Sequence, residues 1–285
     1  MPAPTFDRQW RPTGRVAPTG LLDARLQVHH AVQLVVSASI SYLPPSSDDS
    51  HTNLEWIPQL SAMAGRALPG ASGWRVALRP ADLALLVTAP DWIIAGEFLL
   101  AGQTVADADR WMRDVLGRSG FDPSRLTQKK HYEIPAHAVA LGQPFQLATD
   151  ESFAEVSAYY GDAWCLTTAI CREQTGASEP RIWPHHADLA TLITVATPNG
   201  SPRRTIGVGL SPGDDSYAQP YIYIGPYPHP PSDRLPPLSI GRWHTAGWIG
   251  AVLLGAEFTG ETGANRALAF CRQGIEACQQ AFSTA

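Results

Sequence analysis

Apolar residues recur at helical spacing in four long stretches of this chain and alternate, or cluster between turn residues, in several shorter ones. Leu22, Leu26, His29, Val32, Val36, Ile40 and Leu43 fall three or four apart, which predicts a helix over 22–43 with one apolar stripe. Pro44-Pro45 ends it, because a residue before proline is driven out of the helical region. Thr104-Val105-Ala106-Asp107 has capping-box spacing, with Asp in the Glu position, and opens a helix that stops at Ser119-Gly120. Ser152-Phe153-Ala154-Glu155 repeats that spacing and predicts a third helix, with Phe153, Val156, Tyr160, Ala163, Thr167 and Ile170 inward. A closing helix places Ala264, Leu268, Cys271, Ile275, Cys278 and Phe282 on one face.

The shorter stretches predict strands at His51–Trp56, Trp74–Leu78, Asp82–Val87, Ile93–Leu100, Arg181–Ala190, Thr205–Leu210 and Gln219–Gly225. Residues 121–150 look irregular apart from a short strand at His131–Ile134, and Thr245–Phe258 reads equally as helix or strand. Pro198-Asn199-Gly200 marks a turn, and six prolines between Pro226 and Pro237 mark a stiff loop. Two phrases agree, Ala81-Asp82-Leu83-Ala84 and Ala187-Asp188-Leu189-Ala190, and each follows a long helix and opens a hairpin. The expected class is therefore α+β, a pseudo-duplicated antiparallel sheet with long helices packed on one face. The parts are a Pro-rich arm over 1–20, a first repeat over 21–120, a connecting segment over 121–150 and a second repeat over 151–285. Such a fold puts its best cleft between the halves.

Composition narrows the partners. A net charge of −5 argues against nucleic acid and anionic membrane surfaces, and no apolar run reaches spanning length. The N-terminus lacks the apolar segment of a signal peptide, and the four cysteines form no readable disulfide framework. The expectation is a cytoplasmic protein with reduced thiols and a small-molecule partner; oligomeric state is not legible. The order of helix, Asp-Leu-Ala hairpin, Ser-Pro-Gly and a tyrosine-rich strand ending Tyr227-Pro228 resembles a bacterial family of unknown function. Its members carry Phe-Asp-Leu-Ala where Asp188 lies and an aromatic-His phrase where His51 lies. Ala187 departs from that pattern. The resemblance implies a fold and a site position, and no activity.

Chemistry-bearing residues concentrate around that hairpin. On a strand, His186 and Asp188 would share a face as an oriented acid–base pair, with His51 or Glu55 of the first half as partner. Asn53, Trp56, Trp183, His185, Asp215, Tyr217, Tyr221 and Tyr223 would hold the substrate. This predicts a hydrolase or lyase acting on a small polar molecule. The alternatives are a noncatalytic binding protein and a metal-dependent hydrolase, with a divalent ion on His51, His186 and Asp188. Gly209-Leu210-Ser211-Pro212-Gly213 matches a nucleophile elbow in letters only, because Pro212 has no N–H for an oxyanion hole.

Overall fold

The computed structural model describes residues 10–70, 73–147, 150–195 and 203–283. In chain order they form α1 (Leu22–Tyr42), β1 (Glu55–Ile57), β2 (Ala62–Ala64), β3 (Arg75–Arg79), β4 (Ala84–Thr88), β5 (Ile94–Leu99) and α2 (Val105–Arg118). There follow α3 (Asp150–Glu173), β6 (Arg181–Trp183), β7 (Asp188–Val195), β8 (Arg204–Ser211), β9 (Tyr221–Tyr227), β10 (Arg242–His244), β11 (Gly250–Leu254) and α4 (Gly263–Ser283). The class is α+β. One sheet has five strands in sequence order, and the other has six in the order β10-β11-β9-β8-β7-β6.

The letters that suggested a duplication do not occupy equivalent places. Asp82 closes a 3-10 turn ahead of β4, whereas Asp188 is the first residue of β7. The left-handed residue at each entry is Leu83 in the first case (φ 49°) and Ala187 in the second (φ 57°).

The chain divides into two compact units. The first holds residues 20–157 and 182–187. In it the β1–β5 meander pairs antiparallel throughout, with Val76 opposite Val87 and Leu85 opposite Phe98. Helix α1 packs on this sheet so closely that a Cβ on Gly65 would lie 3.2 Å from Val35 Cγ1. It is not a one-stripe helix. Residues on every side of it are buried, Gln27, His29, His30, Gln33, Ser37, Ser39 and Ser41 among them, while Leu22 is exposed. Helix α2 begins at the expected capping box, where Thr104 Oγ1 accepts the Asp107 N–H and the Asp107 carboxylate accepts the Thr104 N–H.

The polar residues of α1 organise the segment after α2. Residues 121–147 contain no strand at His131–Ile134; they run as a strap along α1, and helix side chains bond its backbone at Asp122, Thr127, Pro135 and Gln146. Tyr42 Oη donates to Asp122 O, and the Thr127 N–H donates to Ser41 Oγ. Tyr132 Oη donates to the Gln33 side chain, and the His30 ring bonds Pro135 O. At the far end the Gln27 amide acts like a strand edge: it donates to Gln146 O and accepts the Gln146 N–H.

The second unit holds residues 10–19 of the described chain, 158–181 and 188–283. Residues 10–19, the described part of the expected arm, are packed here: the Arg11 N–H donates to Asp162 Oδ1, and Thr13 O accepts the Gly260 N–H. Strands β7 and β8 form the expected hairpin, with Leu189 opposite Leu210; its turn at Pro198-Asn199-Gly200 lies outside the described residues. On β9, Ile222 and Ile224 are buried, and Tyr221 and Tyr223 project to the other face. Helix α4 sits on the isoleucine side, so close that a Cβ on Gly274 would collide with Ile224 Cδ1. The ambiguous stretch before α4 is extended: β11 pairs with β9 and with β10. Helix α3 starts at Asp150, two residues before the expected cap, so Ser152 lies inside the helix. Among the described residues no helix is long and apolar enough to cross a membrane.

Candidate functional site

The stretch 181–190 is not one strand. Strand β6 ends at Trp183, and Pro184-His185-His186-Ala187 makes a helical turn in which the His186 and Ala187 N–H groups both donate to Trp183 O. The alternation that would put His186 and Asp188 on one strand face does not exist, because proline and a left-handed Ala187 break the extended backbone. Asp188 starts β7 and falls in the second unit, whereas the histidines fall in the first. Pro184 O accepts from His29 Nε2 (2.8 Å) and from Gln33 Nε2 (3.0 Å), which fixes the turn on α1. Burial holds the His29 imidazolium down to a pKa of about 4, so at neutral pH the ring is neutral and Nε2 carries the proton it donates. His186 is exposed, with its ring 4.5 Å from that of His185; His185 also contacts the rings of Trp183 and Tyr132.

The segment 51–56 departs from expectation in the same way. Strand β1 starts only at Glu55, and His51 lies in the preceding turn, so His51, Asn53 and Glu55 do not line one strand face. His51 Nδ1 accepts the Ser46 N–H and ties the loop to itself. Glu55 forms an ion pair with Arg75 at 2.8 Å. Asn53 and Trp56 are buried, and Asn53 Oδ1 finds no hydrogen-bond donor among the described residues. The two segments that carry the candidate histidines do meet, through the reciprocal backbone bonds of Leu54 and Ile182.

The richest side-chain constellation is in the second unit. Strand alternation sends Tyr221 and Tyr223 to one face of β9. The Tyr223 hydroxyl donates to Asp188 Oδ2, and the Tyr221 hydroxyl to Asp214 Oδ2. Gly209, opposite Tyr223 on β8, makes the room: a Cβ there would lie 2.9 Å from the Tyr223 oxygen and 2.6 Å from Leu189 O. Burial first, and then the facing carboxylates, push both phenols well above the usual tyrosine range. Asp214 also accepts the N–H groups of Ser216 and Tyr217, so its turn presents the carboxylate to the rings. The loop after β10 completes the group. His244 Nε2 lies 2.7 Å from Ala246 O and must donate there, which leaves Nδ1 to accept from the Tyr217 hydroxyl at 2.9 Å. Trp248 stacks on His244 at 4.3 Å and on Tyr221 at 6.4 Å. Asp215 is exposed beside them.

Of the expected binding residues, Tyr217, Tyr221 and Tyr223 therefore stand together, joined by Asp188. From the pair Asp214-Asp215 the sequence reading selects Asp215, whereas Asp214 is the one that meets the rings, and it misses His244 and Trp248. Among the described residues no three His, Cys, Asp or Glu side chains gather as a metal site would need.

No family model, curated protein or solved structure matches this chain.

Proposed function

We propose that this protein binds a small organic cation, without turning it over, on the aromatic–carboxylate cluster of Tyr217, Tyr221, Tyr223, His244, Trp248, Asp188 and Asp214. The observation that carries the reading is the set of contacts that fixes these rings to one another and to two carboxylates. Ring faces attract cations, and a fixed cluster loses little entropy when a ligand arrives. Asp214 is exposed and has no Lys or Arg partner among the described residues, so its charge is available to a positive guest. The phenols are donors that stay protonated, and a carboxylate already accepting such a donor is a weak general base. Both properties favour holding a ligand over acid–base turnover.

The test uses benzyltrimethylammonium as the probe, with Trp fluorescence and NMR titration as readouts. Wild-type protein should give a saturable change that Asp214→Asn and Trp248→Leu each weaken at least tenfold, while the neutral benzyl alcohol fails to saturate. Equal response to the charged and neutral probes, or no saturation in folded protein, would overturn the reading.

A further inference from the structure

Tyr221 and Tyr223 repeat one arrangement. They project from the same face of β9, and each gives its hydroxyl to a carboxylate of its own, Tyr221 to Asp214 and Tyr223 to Asp188. The carboxylates come from different elements, Asp214 from the turn after β8 and Asp188 from the start of β7. The two ring centroids lie 6.3 Å apart, close to the rise of two strand residues. Two phenol–carboxylate pairs therefore stand side by side at a spacing that the strand fixes. Tyr217 and Trp248 wall the Asp214 pair, with ring centroids 5.0 Å and 6.4 Å from that of Tyr221.

The charge of this group is double. Asp188 and Asp214 each bring one negative charge, and burial keeps both phenols protonated. With Nε2 donating to Ala246 O and Nδ1 accepting from Tyr217, the His244 ring adds none. Asp215, exposed and next in the chain, adds to the negative side. Arg242 lies in the same row of the sheet as Tyr223, two strands away through Val252, and is paired with Glu257 at 3.2 Å.

A guest with one charge can sit against only one of these pairs. A carboxylate oxygen has two lone pairs, so accepting a phenol does not close it to an ammonium. We propose that the guest of this cluster is a dication, a short aliphatic diamine whose two ammonium groups are spaced as the two rings are, one on each phenol–carboxylate pair. An extended chain advances about 1.25 Å per single bond, so the five bonds of 1,4-diaminobutane separate its nitrogens by about 6 Å. The inference rests on the reading of the cluster as a cation site and names the class of cation.

Calorimetry on the full-length protein at constant ionic strength tests it, with n-butylamine and α,ω-diamines of two to eight carbons as probes. 1,4-Diaminobutane should bind at least tenfold tighter than n-butylamine, and affinity along the series should be greatest at four or five carbons. Asp188→Asn should abolish the advantage of the diamine over the monoamine, with circular dichroism as the check on folding. The wild-type series decides by itself where that variant does not fold. Saturable n-butylamine binding with no gain for any diamine overturns the dication and leaves the cation reading standing. So does a gain that rises steadily with chain length, or a folded Asp188→Asn protein that keeps the full advantage. Failure of every probe to saturate, benzyltrimethylammonium included, overturns both.

Discussion

Burial of His29, and of His30 beside it in the chain, makes the stability of the first unit depend on pH on the acid side. The unfolded chain protonates histidine near pH 6.5, whereas folded His29 resists until about 4. Between those values the unfolded state holds more protons, so the folded state loses stability as pH falls; above 6.5 the contribution is fully present. The span corresponds to about 3 kcal/mol. Denaturant titrations at pH 7 and pH 4 should therefore show a loss of that order beyond what the carboxylates cause. His29→Gln, which keeps a donor for Pro184 O, should remove that part of the slope. An unchanged slope in the variant would refute the assignment. This residue also shows where sequence reading stops: by spacing alone His29 passes for one more position in an apolar stripe. His29, Gln33, Ser37 and Ser41 recur every four residues, and a polar stripe inside an otherwise apolar helix is the available signal that α1 is covered on that side too.

At the scale of elements, helices and hairpins are legible because period and punctuation agree with packing. The Thr104 box, the inward set of α3 and the alternating tyrosines and isoleucines of β9 all appear as the pattern predicts. The failures fall where a tertiary contact overrides a local pattern. Arg181–Ala190 reads as a strand until Pro184 and Ala187 bend it into a turn that hands its carbonyl to α1. The strap has no period of its own, since its partners are side chains about one hundred residues away, Tyr132 and Gln33 being 99 apart. Ser41→Ala tests this. It removes the acceptor of the Thr127 N–H and should cost roughly 1 kcal/mol. Amide exchange should quicken around Thr127 and stay unchanged in β7 and β8; uniform quickening would mean the strap is not separately anchored.

For the molecule as a whole, the cysteines report on both packing and chemistry. None of the four is in a disulfide, and burial raises the thiols of Cys165, Cys271 and Cys278, which disfavours the reactive thiolate. Cys171 is only half-buried and gives its hydrogen to Ser178 O and Thr191. Labelling native protein with an alkylating reagent should modify Cys171 slowly and the other three hardly at all, and all four should react together in denaturant. Fast native labelling of Cys271 or Cys278 would mean that α4 detaches from its sheet far below the global unfolding free energy. The class of fold follows from the sequence because the four helical stretches and seven short strand stretches that it shows outside the irregular segment leave few other layerings. The cluster around Asp188 does not, since Asp214, His244 and Trp248 meet the tyrosines only through turns that no periodicity announces.

The bond from His29 to Pro184 spans 155 residues of chain. On a ribosome, α1 emerges long before its acceptor does, and residues 182–187 are the last piece of their unit to be made. Until they arrive, a buried imidazole and amide have no carbonyl to meet, and the nascent unit is left open at that seam. Vectorial synthesis therefore withholds completion of this unit until Ala187 has been made. A stop codon anywhere before Pro184 should yield a product that chaperones and proteases recognise as unfinished.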